Sequence, residues 1–138
     1  MKRRNNAFLI MIFTVLFGSI SGCKAQNGNK FSSLSVESFE KAISDTSVLR
    51  LDVRTSDEFM EGHLPNAINI DYLKPDFDSL VSVRLTKEKT IAVYCRSGNR
   101  SKKAASVLVN KDYKVVELST GFNGWVTAGK EITKGNSK

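Results

Sequence analysis

Residues Ile91 to Tyr94 form a short, wholly apolar run. It ends in Cys95-Arg96-Ser97-Gly98-Asn99-Arg100, and a segment with helical spacing follows. A strand this apolar belongs inside a sheet covered on both faces, which means mostly parallel strands with helices packed on them. In such sheets ligands bind beyond the C-terminal ends of the strands, and Cys95 stands at that end.

Alternation along the rest of the chain supports the same architecture. Val36, Phe39 and Ile43 share one helical face over Val36 to Ile43, and Val48 to Val53 reads as a strand. Thr55 and Glu58 have the spacing of a capping box, opening a short helix that Gly62 ends. Ala67 to Ile70 is a second short strand. Phe77, Leu80, Val81 and Leu85 then recur at helical spacing. Ser101 to Asn110 is a helix with Ala104, Ala105, Leu108 and Val109 inward, Val115 to Leu118 a strand, and Phe122 to Ala128 a last short helix. The expected fold is α/β, with a mostly parallel central sheet and helices on both faces.

The first 30 residues read differently. Lys2-Arg3-Arg4 precedes an apolar stretch from Ala7 to Ile20, the pattern of a secretory signal that is too short and wrongly flanked for a stable span. Ile20-Ser21-Gly22-Cys23 resembles the bacterial lipobox. That resemblance implies cleavage before Cys23, lipid on its sulfur, and anchoring on the extracytoplasmic side of a bacterial membrane, periplasmic if the cell is Gram-negative. Residues 1–22 are thus expected to be a signal peptide, 23–30 a flexible tether, 31–133 one domain and 134–138 a polar tail. Loss of Lys2, Arg3 and Arg4 lowers the 21 basic residues to 18 against 14 acidic ones, a net charge of +4. No clustered basic stripe remains, so nucleic acid is not an expected partner.

The chain has 2 cysteines. If Cys23 is lipidated, Cys95 is the only free thiol, and an internal disulfide, a dithiol redox mechanism and a cysteine zinc site are all excluded. Ser97 and Gly98 permit a tight loop whose N–H groups converge as an anion-binding nest. The following helix adds its positive end, and Arg96 and Arg100 add two guanidiniums. Surroundings of this kind draw a cysteine from a pKa of about 8.5 into a range of roughly 3.5–7.5. Cys95 is therefore expected to be largely thiolate at neutral pH, in a site able to hold an anion.

Cys95-Arg96-Ser97-Gly98-Asn99-Arg100 resembles the active-site loop of single-domain rhodanese-like sulfurtransferases. Three further segments resemble that family in the same order: Leu51-Asp52-Val53-Arg54 with Glu58-Phe59, Gly62-His63-Leu64-Pro65-Asn66-Ala67-Ile68-Asn69-Ile70, and Leu118 through Gly121-Phe122 and Trp125 to Ala128-Gly129. Asn66 and Thr120 stand where the family usually has glycine. The resemblance implies that Cys95 takes a sulfane sulfur from thiosulfate or a persulfide donor and passes it to a thiophilic acceptor: cyanide, a thiol or a protein cysteine. It also implies that Arg96 and Arg100 bind the anionic donor, and that backbone N–H groups of Ser97, Gly98, Asn99, Arg100 and Ser101 hold the reacting sulfur. No metal or organic cofactor is needed, and a monomer is expected.

Two other functions compete. A phosphatase of related fold has five residues between cysteine and arginine, where this chain has four. A sulfur-binding or redox-sensing module would use the same thiol with little turnover. Asp52, Arg54 and Glu58 are expected to form a bracing ion-pair network, His63 to be a satisfied structural side chain, and Trp125 to lie in the core.

Overall fold

The computed structural model describes residues 30–136. The proposed signal segment, Cys23 and the last two residues of the expected tail lie outside them. Five strands form one sheet in the order β1-β5-β4-β2-β3, comprising β1 (Ser32–Leu34), β2 (Leu49–Asp52), β3 (Ile68–Asn69), β4 (Thr90–Tyr94) and β5 (Lys114–Leu118). Every pairing is parallel. The helices between and after them are α1 (Val36–Ile43), α2 (Ser56–Glu61), α3 (Phe77–Arg84), α4 (Asn99–Asn110) and α5 (Gly121–Thr127). The expected α/β architecture is what the chain adopts.

β4 is the middle strand, and its pleat sorts the core. Successive side chains point to opposite faces of a strand. Ile91 and Val93 therefore join Leu51, Phe77, Val81, Ala104 and Leu108, beneath α3 and α4. Ala92 and Tyr94 join Phe39, Phe59, Leu118 and Trp125, beneath α1, α2 and α5. Ile91, Ala92, Val93 and Tyr94 are fully buried, and each large apolar side chain so buried contributes about 1.5–3 kcal/mol. Cys95 continues the alternation onto the α3/α4 face. The register of β4 thus aims the thiol at the start of α4, and a one-residue slip would send it to the other face.

The elements expected from the sequence are present within one or two residues of their bounds. α4 begins at Asn99, two residues before the expected start, because Gly98 serves as its N-cap. The strand β1 was not expected. It contains only Ser32, Ser33 and Leu34, and it pairs with Val116, Glu117 and Leu118 at the edge of the sheet. Asn66, with a φ of 61°, adopts the left-handed backbone that the glycine of related sequences would allow.

Candidate active site

The loop from Cys95 to Gly98 is shaped by two glycines, only one of which lies within it. Gly98 has a φ of 104°, and a Cβ there would stand 2.5 Å from the Ser119 carbonyl oxygen. Only glycine meets both demands without strain. Its N–H donates to Cys95 Sγ at 3.1 Å. Gly121, at the start of α5, has a φ of 63°, and a Cβ there would stand 2.5 Å from the Arg96 carbonyl carbon and oxygen. This closeness lets Phe122 N–H donate to Cys95 O at 2.8 Å and Asn123 N–H to Arg96 O at 3.0 Å. With its carbonyls turned outward to α5, the loop turns its amides inward to the sulfur.

Cys95 is 1% exposed. Burial pushes its thiol up, but hydrogen bonding from the Ser101 hydroxyl and from the backbone N–H groups of Ser101, Gly98 and Ser97 outweighs burial, so its pKa falls below the ordinary cysteine value. The expected direction holds, and the expected nest is its cause. Ser97 and Asn99 have exposed side chains, Asn99 opening α4. Ser101 is buried, and its hydroxyl lies 3.4 Å from Cys95 Sγ and 2.6 Å from Glu117 Oε1.

The two arginines are not free. Arg96 Nε donates to Glu58 Oε1 at 2.8 Å, while Arg100 donates from Nη1 to Oε2 at 2.8 Å and from Nη2 to Oε1 at 2.9 Å. Glu58 is also the N3 residue of the capping box, where its Oε2 accepts from the Thr55 N–H at 2.9 Å. Arg100 above all, then Arg96 and Thr55, hold the Glu58 carboxyl far below the usual carboxylate range despite its partial burial. The same pairing raises the Arg100 pKa. One carboxylate between two guanidiniums leaves the rim with a net charge of about +1 beside the thiolate.

This arrangement corrects the expected bracing network. Asp52 and Arg54 do pair, at 2.6 Å and almost wholly buried, and Arg54 also donates to Gly62 O at 2.7 Å and lies over the Phe122 ring at 4.1 Å. Glu58 belongs instead to the arginines of the cysteine loop. His63 departs from expectation in one atom: Nδ1 bonds Phe59 O at 2.8 Å and the ring stacks on Phe59, yet buried Nε2 has no hydrogen-bond partner among the described residues. Trp125 is buried as expected, and its indole N–H donates to Glu131 O at 2.8 Å. Thr120, the other departure from glycine, has its side chain over Gly124, where a Cβ would stand 2.0 Å from Thr120 Oγ1.

Beside the loop a cleft of about 470 Å³ is lined by Arg54, Glu58, Arg96, Phe122, Val126 and Ile132, among others. It offers an apolar wall next to a cationic rim, a shape suited to a small molecule carrying an anionic end. Sequence reasoning missed the membership of Glu58 and Glu117 in this site. A capping-box signal explained the first fully, and nothing local marks the second except an acid inside an otherwise apolar strand.

Comparison with known proteins agrees with the geometry. The family model described as Rhodanese-like domain matches residues 35–128. A sulfurtransferase from Allochromatium vinosum is 32% identical over 101 residues, covering 70% of this chain and 89% of that protein. The Arabidopsis thaliana protein HIGH ARSENIC CONTENT 1, mitochondrial, is 36% identical over 89 residues, 57% of this chain, which spans only 53% of that protein's length. The crystal structure of a rhodanese-related protein from Thermoplasma volcanium superposes with a TM-score of 0.63 at 26% identity, covering 75% of this chain and 98% of that one. The chain belongs to the rhodanese-like domain family.

Proposed function

We propose that this protein is a sulfurtransferase working through a persulfide on Cys95. The Cys95 thiolate attacks the outer sulfur of thiosulfate or a persulfide donor. The donor's S–S bond breaks, sulfite (or the donor thiolate) leaves with the electron pair, and Cys95 carries the transferred sulfur. An acceptor such as cyanide, a thiol or a protein cysteine then attacks that outer sulfur and frees the Cys95 thiolate. This is two-step covalent catalysis with ping-pong kinetics. The observation that carries the reading is the ring of loop N–H donors around a buried sulfur, with the Gly98 N–H 3.1 Å from Cys95 Sγ, which draws the thiol's pKa down. The same ring would hold the negative outer sulfur of the persulfide. The cationic rim of Arg96 and Arg100 suits an anionic donor.

The test is intact-mass analysis after thiosulfate, with thiosulfate:cyanide turnover, on the protein and on Cys95→Ser. A gain of one sulfur and turnover that both vanish in Cys95→Ser are expected. No mass gain and no turnover in the unaltered protein would sink the proposal and favour a binding or sensing role.

We further propose, from the sequence around Cys23, that the chain is processed to a lipoprotein held on the extracytoplasmic side of a bacterial membrane. Expression in a bacterium with labelled fatty acid should label the protein and fail to label Cys23→Ser. Equal labelling of both would refute the anchor.

A further inference from the structure

One wall of the cleft beside the cysteine loop comes from chain beyond the residues that match the family. After α5 the chain turns back along α2. Thr133 and His63 exchange both backbone hydrogen bonds at 2.8 Å, and Gly135 N–H donates to Met60 O at 2.9 Å. Gly62 lets this strap lie close, since a Cβ there would stand 3.3 Å from Ile132 Cδ1. The strap is thereby fixed against the end of α2. It brings Ile132 and Lys134 into the lining of the cleft, together with Glu61.

Transfer of sulfur from thiosulfate to cyanide leaves two features of this lining unused. The first is size. About 470 Å³ falls within the range of about 300–1,000 Å³ usual for small-molecule sites, and either ion would leave most of it empty. The second is charge. Arg54 is answered by Asp52, and Glu58 by Arg96 and Arg100. Glu61 and Lys134 remain. The backbone bonds of Met60 with Gly135 and of His63 with Thr133 bracket these two residues. Neither makes an ion pair or a side-chain hydrogen bond among the described residues. One carboxylate and one ammonium therefore line the same cleft unanswered. Phe122, Val126 and Ile132 add apolar surface, and Arg96, next to Cys95 in the chain, marks the end nearest the sulfur.

We propose that the sulfur acceptor is a thiol bearing an α-amino-carboxylate, with Lys134 binding its carboxylate, Glu61 its ammonium and the apolar wall its stem. A thiol with a carboxylate alone would be drawn by Lys134 and repelled by Glu61. A zwitterionic head answers both, and such complementarity gives selectivity more than raw affinity. Lys134 and Glu61 are thus specificity-determining residues that hold the acceptor away from the reacting atoms. In the transfer, the acceptor's sulfur bonds the outer sulfur of the Cys95 persulfide. The persulfide S–S bond breaks, and its electron pair stays on Cys95 as the thiolate. The acceptor's thiol proton passes to the transferred sulfur, so the product is an amino-acid persulfide and no further reactant is needed. The proposal rests on the sulfurtransferase reading and names the acceptor class for it.

The test is kcat/KM of the full chain with thiosulfate as donor and a matched series of acceptors, reading the persulfide product. The series is homocysteine, its desamino analogue mercaptobutyrate, its decarboxylated analogue aminopropanethiol, and propanethiol, which lacks both groups. The unaltered protein should favour homocysteine over each singly charged analogue by about three- to fivefold, the size of an exposed charge pair. Lys134→Gln should erase the advantage over aminopropanethiol and keep the advantage over mercaptobutyrate. Glu61→Gln should do the reverse. Ratios taken within one protein cancel any change in overall activity, and the same thiols compared between proteins cancel their differing nucleophilicity. No discrimination in the unaltered protein, ratios that survive both substitutions, or loss of both advantages in either variant would each overturn the proposal. Thiols that accept no sulfur while cyanide turns over would overturn it and leave the sulfurtransferase reading standing. Absence of the Cys95 persulfide after thiosulfate would overturn both.

Discussion

Two acid–arginine clusters lie a short distance apart in this molecule, and they are built oppositely. Asp52 and Arg54 form a closed pair, 0% and 2% exposed, one charge matched by one charge. Glu58 is shared by Arg96 and Arg100, with Arg96 52% exposed at the mouth of the site. The closed pair answers all its charge internally and locks the end of β2 to the Gly62 turn. The open one is a carboxylate outnumbered by guanidiniums, so positive charge is left over for a ligand. Neighbouring clusters of the same residue types thus serve opposite ends, and the ratio of acids to bases, with the exposure of the outermost arginine, separates them.

The largest effect should come from breaking the closed pair. Arg54→Ala strands the Asp52 carboxylate in the interior, where an unpartnered buried charge costs about 3–5 kcal/mol. Urea unfolding should show that loss, and a change under 1 kcal/mol would mean the pair is dispensable. Donor affinity changes next. Arg96→Ala removes a charge-assisted contact to an anion, worth about 1.5–3 kcal/mol, so KM for thiosulfate should rise about tenfold or more. Stability should fall by less than about 1 kcal/mol, as for exposed pairs. A large stability loss with unchanged KM would reverse the roles assigned to the two clusters.

The smallest effect concerns acid. Arg100, chiefly, holds the Glu58 carboxyl below its unfolded value of about 4.3. A depressed folded pKa gives stability that is present above the unfolded pKa and is lost as pH falls through the folded one. Glu58→Gln can still serve the capping box but cannot titrate. The melting temperature of the unaltered protein should therefore drop more steeply below about pH 4 than that of Glu58→Gln. Parallel curves would show that the rim contributes nothing to acid stability.

Much of this was legible from residue patterns. The strand–loop–helix around Cys95, the capping box at Thr55 and the inward face of α4 follow from period and cap chemistry, which are local. What escaped is what only the tertiary fold decides. β1 holds two serines and a leucine, too short and too polar for a strand signal, and exists because β5 offers it an edge. The arginine partners of Glu58 cannot be read from α2, since Arg96 arrives from the cysteine loop and Arg100 from the first turn of α4. Glu117 follows Val115 and Val116 in β5 with nothing to show that it meets Ser101 of α4.

The carbonyls of Cys95 and Arg96 are held by the first amides of α5, which gives thiol chemistry a dependence on the completeness of the fold. Those two bonds fix the peptide planes of the loop, and so fix the direction in which its amides point at the sulfur. The reactivity of Cys95 is thus tied to the docking of an element that never touches the sulfur, which makes it a gauge of whether the domain is whole.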